Sequence, residues 1–263
     1  MKKIVALVLA VMMLAAMACT VSASSLEEIK AAGKLVVETE ATYPPYEYLD
    51  DNGAFAGCDI FLAEQIAAEI GVELVMMDTA FDSIIMDIKD GKGDLGIAAF
   101  TVTEERKEKI DFSKQYESSL QLLVVKAGNE DLYATKDALK GLKVGAQMGT
   151  VQSQLVESAL SDSELFELPT YPELALETVN GNIVGFVVDY AVGMAMVASS
   201  DGALEVANFE FSAEEASFGK AAIIAKGNED LLEVVNVVVD RVTADGSYQA
   251  AYDEAVAATG SEG

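Results

Sequence analysis

Strand-length apolar runs and helix-length amphipathic runs alternate along this chain twice over, and no flexible linker separates the two series. No single motif constrains the fold as much. Residues 35–37, 72–76 and 95–99 read as strands, and residues 59–70 and 81–89 place apolar side chains at helical spacing, stopped by Gly71 and Gly91. A strand at 120–125 follows. The pattern restarts with a strand at 143–146, a helix opened by Gly149-Thr150, a strand at 183–188 and a helix through Val197. A strand at 221–225 and helices at 231–242 and 249–257 complete it. This is an α/β chain of two similar units, each expected to carry a largely parallel sheet. The extended segments 115–119 and 214–218 are the crossings between them. A chain that crosses, builds a second unit and returns forms a two-strand hinge rather than a tether. The expected organisation is a discontinuous first lobe (24–115 plus 219–263) and a second lobe (119–213).

The first residues stand outside that pattern. Met1-Lys2-Lys3 is basic, and residues 4–18 are apolar or small throughout. The run is too short and wrongly flanked for a membrane span and has the layout of a secretory signal, so residues 1–23 are expected to be a signal peptide. Two cuts fit. Ala16-Met17-Ala18 before Cys19 suits a lipoprotein cut that would leave Cys19 lipidated, and Val21-Ser22-Ala23 before Ser24 suits ordinary cleavage. Either way the protein is exported, to the periplasm or the cell surface. Cys19 is then removed or lipidated, and Cys58, the second of two cysteines, reads as a small apolar filler.

Charge narrows the partners. The formal net charge is −27, and losing Lys2 and Lys3 takes it to −29. That excludes nucleic acid and anionic membrane as binding surfaces. The chain has no histidine, so the commonest general base and metal ligand is missing. No metal or cofactor is expected.

In open α/β sheets ligands sit beyond the carboxyl ends of strands. Glu40 follows the first strand, Thr101 and Thr103 follow the strand at 95–99, Gln147 to Thr150 follow the strand at 143–146, and Asp189 ends its own strand. Arg106 lies three residues past Thr103, which can cap a short helix. Its guanidinium suits a carboxylate held by two parallel bonds, and a solvated surface arginine fits the same spacing. Asp189 suits an ammonium, and equally a helix N-cap. Gly149-Thr150 offers backbone N–H groups at a helix start. Tyr43 and Phe81 sit in loops where aromatic rings flank ligands or simply pack. A cation, an anion and aromatic walls are together the complement of a free α-amino acid, with Arg106 and Thr101 on one lobe and Asp189 and Thr150 on the other.

At these residues the chain resembles the bacterial extracellular solute-binding proteins of family 3, polar amino-acid receptors of ABC importers. The resemblance runs from about residue 26 to 257. Its most specific stretch is Thr101-Val102-Thr103-Glu104-Glu105-Arg106-Lys107, continuing to Ile110-Asp111-Phe112-Ser113. It is supported by Glu40-Ala41-Thr42-Tyr43-Pro44-Pro45-Tyr46-Glu47, Val187-Val188-Asp189 and Lys226-Gly227-Asn228-Glu229-Asp230-Leu231. It implies a periplasmic-binding-protein-like fold, two α/β lobes joined by a two-strand hinge, closing like a flytrap. Arg106 then matches the arginine that holds the ligand carboxylate, and Asp189 the aspartate that holds its ammonium. Ala99, Phe100 and Thr101 supply contacts from the first lobe, and Gln147, Thr150 and Val151 from the second. Tyr43 and Phe81 match flanking aromatics, and Glu40 an acid at the far end of the ligand.

Some positions depart from the family pattern: Cys58 for Phe, Ala99 for Gly or Ser, Val151 for a second threonine, and no C-terminal Trp. The resemblance implies a monomer that carries an amino acid to an ABC permease, without catalysis, and Glu40 with the acidic field leans the ligand towards arginine or lysine. A dehydratase of the cyclohexadienyl type on the same fold, using Glu40 as general acid, and a sensing module for a separate signalling protein are the alternatives.

Overall fold

The structure, a computed structural model, describes residues 24–212 and 218–260. The expected signal segment at 1–23, with Cys19, lies outside the described residues, as does most of the second expected crossing, 214–217. The chain opens with α1 (Leu26–Ala32), β1 (Lys34–Thr39), the short strands β2 (Thr42–Tyr43), β3 (Glu47–Leu49) and β4 (Phe55–Ala56), and α2 (Cys58–Ile70). Next come β5 (Glu73–Asp78), α3 (Phe81–Lys89), β6 (Leu95–Gly96), α4 (Glu104–Lys107) and β7 (Asp111–Phe112). Strand β8 (Glu117–Ser119) leads into β9 (Gln121–Lys126), β10 (Lys143–Gln147), α5 (Val151–Ala159), β11 (Glu164–Leu168), α6 (Tyr171–Asn180), β12 (Gly185–Asp189), α7 (Tyr190–Ser199) and β13 (Leu204–Val206). The return runs through β14 (Phe218–Lys220), β15 (Ile223–Ile224), α8 (Glu229–Ala244) and α9 (Ser247–Thr259).

Each lobe holds one five-stranded sheet, in the orders β5-β1-β6-β15-β7 and β11-β10-β12-β9-β13. Four strands of each sheet run the same way, as expected of largely parallel sheets, and one strand in each, β15 and β9, is reversed. In the first, β1 runs parallel to β5 and β6, while β15 is antiparallel to β6 and β7. In the second, β10 runs parallel to β11 and β12, while β9 is antiparallel to β12 and β13. The cause is connectivity. Strands β9 and β15 each follow directly from the strand pair between the lobes, so they run away from it. The βα strands run towards it and deliver their carboxyl ends to the space between the lobes. The connecting pair, β8 and β14, is antiparallel over three rungs, with Ser119 opposite Phe218 and Glu117 opposite Lys220.

Local chemistry sets the element ends. Ser25 and Thr170 each form a full capping box, with Glu28 and Glu173, at the starts of α1 and α6. Helix α2 buries Leu62, Ala63 and Ile66 completely, burial that stabilises by about 1.5–3 kcal/mol for each large aliphatic side chain. Its first turn abuts the loop that carries Tyr46. A Cβ on Gly57 would stand 2.2 Å from the Tyr46 carbonyl oxygen, so only glycine fits there. The strand expected at 95–99 stops at Gly96. Ala99 lies in the left-handed region, at φ 47°, which no ladder accommodates. Its amide turns instead to the buried Asp59 carboxylate at 2.8 Å.

The two lobes touch. Tyr46, Tyr43, Tyr171 and Phe186 form a file of rings with centroid separations of 5.9, 5.2 and 6.0 Å, running from the β2–β3 hairpin into the second lobe's core. Tyr252 of α9 joins Tyr46 at 6.0 Å. No helix among the described residues is long and apolar enough to cross a membrane.

Candidate ligand-binding cleft

Helix α4 is one turn long and positions Arg106. The Thr103 hydroxyl accepts the Arg106 backbone N–H at 3.2 Å, as the sequence suggested. The side chain turns inward and is 7% exposed, which settles the choice between a surface and a buried arginine. One guanidinium nitrogen donates to the Thr101 carbonyl at 2.8 Å, and the other to the Gly149 carbonyl of the second lobe at 3.0 Å. The group lies 5.5 Å from the Phe81 and Phe100 ring centroids. Burial pushes its pKa down to about 10. No carboxylate forms an ion pair with it among the described residues. A guanidinium has five N–H donors, so a buried one bonded to two carbonyls has donors left that an anion could take.

Asp189 ends β12 and begins α7, yet its side chain makes no capping bond. It turns into the space between the lobes and is 1% exposed. Its carboxylate accepts from the Tyr43 hydroxyl at 2.7 Å, the Ser119 hydroxyl at 2.9 Å, the Gln121 amide and the Lys220 ammonium. Burial alone would raise its pKa, but Lys220 and these hydrogen bonds outweigh burial and hold it below the usual carboxylate range. Lys220, wholly buried, sits 4.6 Å over the Tyr46 ring.

Glu40 emerges from β1, accepts from the Thr42 hydroxyl, and accepts from the Gln147 amide across the cleft at 3.2 Å. Burial raises its pKa. Gln147 also donates to the Pro169 carbonyl at 2.8 Å. Thr150 caps α5, accepting from the Ser153 N–H at 3.2 Å and donating to the Gln147 carbonyl at 2.7 Å.

Ten of the eleven residues singled out in the sequence converge on one narrow cavity between the lobes. Arg106, Thr101, Ala99, Phe81, Tyr43 and Glu40 line it from one side, and Gln147, Thr150, Val151 and Asp189 from the other. Phe100 does not line it; its ring is fully buried beneath Arg106, stacked on Phe81 at 4.7 Å. Ala98, Glu47 and Gln152 complete the lining and were missed. Glu47 is 1% exposed, its Oε2 has no hydrogen-bond partner, and burial followed by the charge on Asp59 pushes its pKa far up. Lys220 was missed too. The available signal was a lone cation inside the apolar run Phe218-Gly219-Lys220-Ala221-Ala222-Ile223.

Two α/β lobes, joined by a pair of strands and meeting around a buried cavity with a cation on one wall and an anion on the other, define a two-lobed solute-binding protein. The sequence makes the class specific: residues 35–257 match the bacterial extracellular solute-binding proteins, family 3, and the chain belongs to that family. It is similar to the L-cystine-binding protein TcyJ of Escherichia coli K12, at 32% identity over 86% of this chain and 83% of the relative. Among solved structures it resembles the amino-acid ABC transporter substrate-binding protein AbpA of Streptococcus pneumoniae bound to L-arginine. That likeness has a TM-score of 0.84, with 30% identity over 89% of this chain and 98% of the other. It also resembles the ancestral amino-acid-binding protein AncCDT-1, a precursor of cyclohexadienyl dehydratase, at a TM-score of 0.79 and 30% identity over 89% and 100% of the two chains.

Proposed function

We propose that this protein captures a free polar amino acid outside the cytoplasm and hands it to the membrane permease of an ABC importer. The observation that carries the reading is Arg106: a buried guanidinium, fixed by backbone carbonyls and rings, that lacks a carboxylate among the described residues. The ligand's α-carboxylate takes that place, its α-ammonium goes to Asp189, and its side chain extends towards Glu40. A carboxylate at that end favours the cationic side chains of arginine and lysine.

The chain acts as a monomer, with 24–115 plus 219–263 as one lobe, 119–213 as the other, and the crossings at 115–119 and 214–218 as the hinge. The cross-lobe bonds of Arg106 to Gly149, Tyr43 to Asp189 and Gln147 to Glu40 support coupling of capture to closure. The role is non-catalytic.

A thermal-shift screen of the twenty amino acids tests this, because a ligand that binds only the folded chain raises its melting temperature. At a hundredfold excess over Kd the gain is about 2.7 kcal/mol. No shift with any amino acid, or turnover of prephenate to an aromatic product, refutes the reading.

A further inference from the structure

A carboxylate offers about four acceptor positions, and four protein donors reach Asp189. Ser119 and Gln121 hold Oδ1, and Tyr43 and Lys220 hold Oδ2. An arriving ammonium must compete with them. Two are tied down: the Gln121 carbonyl is held by the Gln152 amide at 2.8 Å, and the Tyr43 ring is packed between Tyr46 and Tyr171. Ser119 has one hydroxyl proton, which also reaches the Leu120 carbonyl at 3.0 Å, but it is neutral and its leaving would relieve no charge. Displacing any of these would also leave two cations sharing one carboxylate.

Lys220 differs on both counts. Its departure keeps the charge at Asp189 balanced, and it has a second anion within reach. Glu117 lies directly opposite it in the β8–β14 ladder, where facing side chains stand about 4.5–5.5 Å apart at Cβ. The Tyr46 ring under the Lys220 ammonium donates its hydroxyl to Glu117 at 3.0 Å, so that face leads from one acid towards the other. The remaining acids near this ammonium are less suited to receive it: Asp59 accepts from the Ala99 amide and the Tyr116 and Tyr248 hydroxyls, and burial, then the charge on Asp59, pushes the Glu47 pKa far up and disfavours its charged form.

We infer that Lys220 is a built-in competitor for the ligand ammonium, occupying Asp189 until an α-amino group moves it onto Glu117. This rests on the amino-acid reading of the cleft and adds a selectivity device to it. A carboxylic acid without an α-ammonium cannot displace Lys220, so it neither reaches Asp189 nor benefits when Lys220 is removed.

The test is titration calorimetry on the full exported chain with the best-binding amino acid of the screen and its deaminated analogue; for L-arginine that analogue is 5-guanidinopentanoate. Lys220→Met keeps the stem over Tyr46 and removes the charge. It should tighten the amino acid by about tenfold or more, the scale of one close charge pair, and leave the analogue no tighter. Glu117→Gln removes the receiving acid and should weaken the amino acid several-fold in the natural chain, yet have no effect beside Lys220→Met. If the natural chain binds an amino acid and Lys220→Met binds it equally or more weakly, the displacement is overturned while the functional reading stands. Equal Glu117→Gln losses in both backgrounds also overturn it; if Lys220→Met fails to fold, an unchanged amino-acid affinity for Glu117→Gln in the natural chain overturns it by itself. If neither the natural chain nor Lys220→Met binds any amino acid, the functional reading itself falls, and the displacement with it.

Discussion

Replacing Arg106 with alanine should separate binding from folding more cleanly than any other change in this protein. Burial lowers the guanidinium from its ordinary 12.5 to about 10, which corresponds to about 3 kcal/mol of cost for keeping it charged inside the cleft. Against that cost stand two hydrogen bonds from a charged donor, to Thr101 and Gly149, at about 1.5 kcal/mol each. The contacts with Phe81 and Phe100 add about 0.5 kcal/mol apiece. The opposing sums nearly cancel, so Arg106→Ala should lower stability by only about 1 kcal/mol, a fall of roughly 2–4 °C in melting temperature for a chain of this size. Binding has no such compensation. Removing one partner of a buried, hydrogen-bonded charge pair costs about 2–5 kcal/mol, or roughly 30-fold to several-thousand-fold in Kd. Calorimetry with the screened amino acid, beside a thermal melt of the unliganded variant, reads both quantities. Affinity retained within about threefold would show that the ligand carboxylate goes elsewhere, and the reasoning from an unpaired guanidinium would fail.

Asp189→Asn should cost more stability than Arg106→Ala, because the wholly buried Lys220 loses its ion partner and falls back on Glu117 across the ladder. The loss on melting should stay below the roughly 3–5 kcal/mol of a buried charge left without any partner, with amino acids losing more affinity than their deaminated analogues; equal losses would contradict the assignment. Glu47→Gln should stabilise the protein near neutral pH. The folded-state pKa of Glu47 lies far above its ordinary value, so above that ordinary value the folded chain binds more protons than the unfolded one, and stability falls as pH rises towards the folded value. The variant should melt higher than the natural chain at pH 7.5 and show little difference at pH 4; an equal gain at both would refute the cause. Gly57→Ala drives a Cβ into the Tyr46 carbonyl, and a loss of roughly 3 kcal/mol or more should follow in chemical denaturation; an unchanged midpoint would show that the hairpin bearing Tyr43 and Glu47 yields freely.

Much of the architecture is legible in the sequence because periodicity and capping act locally. Helix α3 occupies its expected bounds, α2 starts one residue earlier than expected, and the Thr103 cap that aims Arg106 inward is a four-residue signal. The chain's direction at β9 and β15 is not legible from periodicity, because an apolar strand reads the same either way and only the connection from β8 or β14 fixes its sense. Strand β11 and helix α6 also escaped notice: residues 164–168 are half polar, and their edge position leaves them only partly buried. At the cleft, residues at strand ends were found because topology points there. Glu47 and Lys220 were not, because each acts through partners distant in sequence: Asp59 for one, Asp189 for the other. A buried acid and a buried base read singly as surface charges.

The file of rings across the lobes has a practical corollary. The chain has nine tyrosines and no tryptophan, and six of those phenols gather near where the halves join, with Tyr43, Tyr46, Tyr116 and Tyr248 each donating to a carboxylate. Hydrogen bonding of a phenol to a carboxylate lowers its emission, so if the proposed opening parts the halves it should break the Tyr43 contact and brighten the molecule. Tyrosine emission would then report opening without a label, with no indole background to mask it.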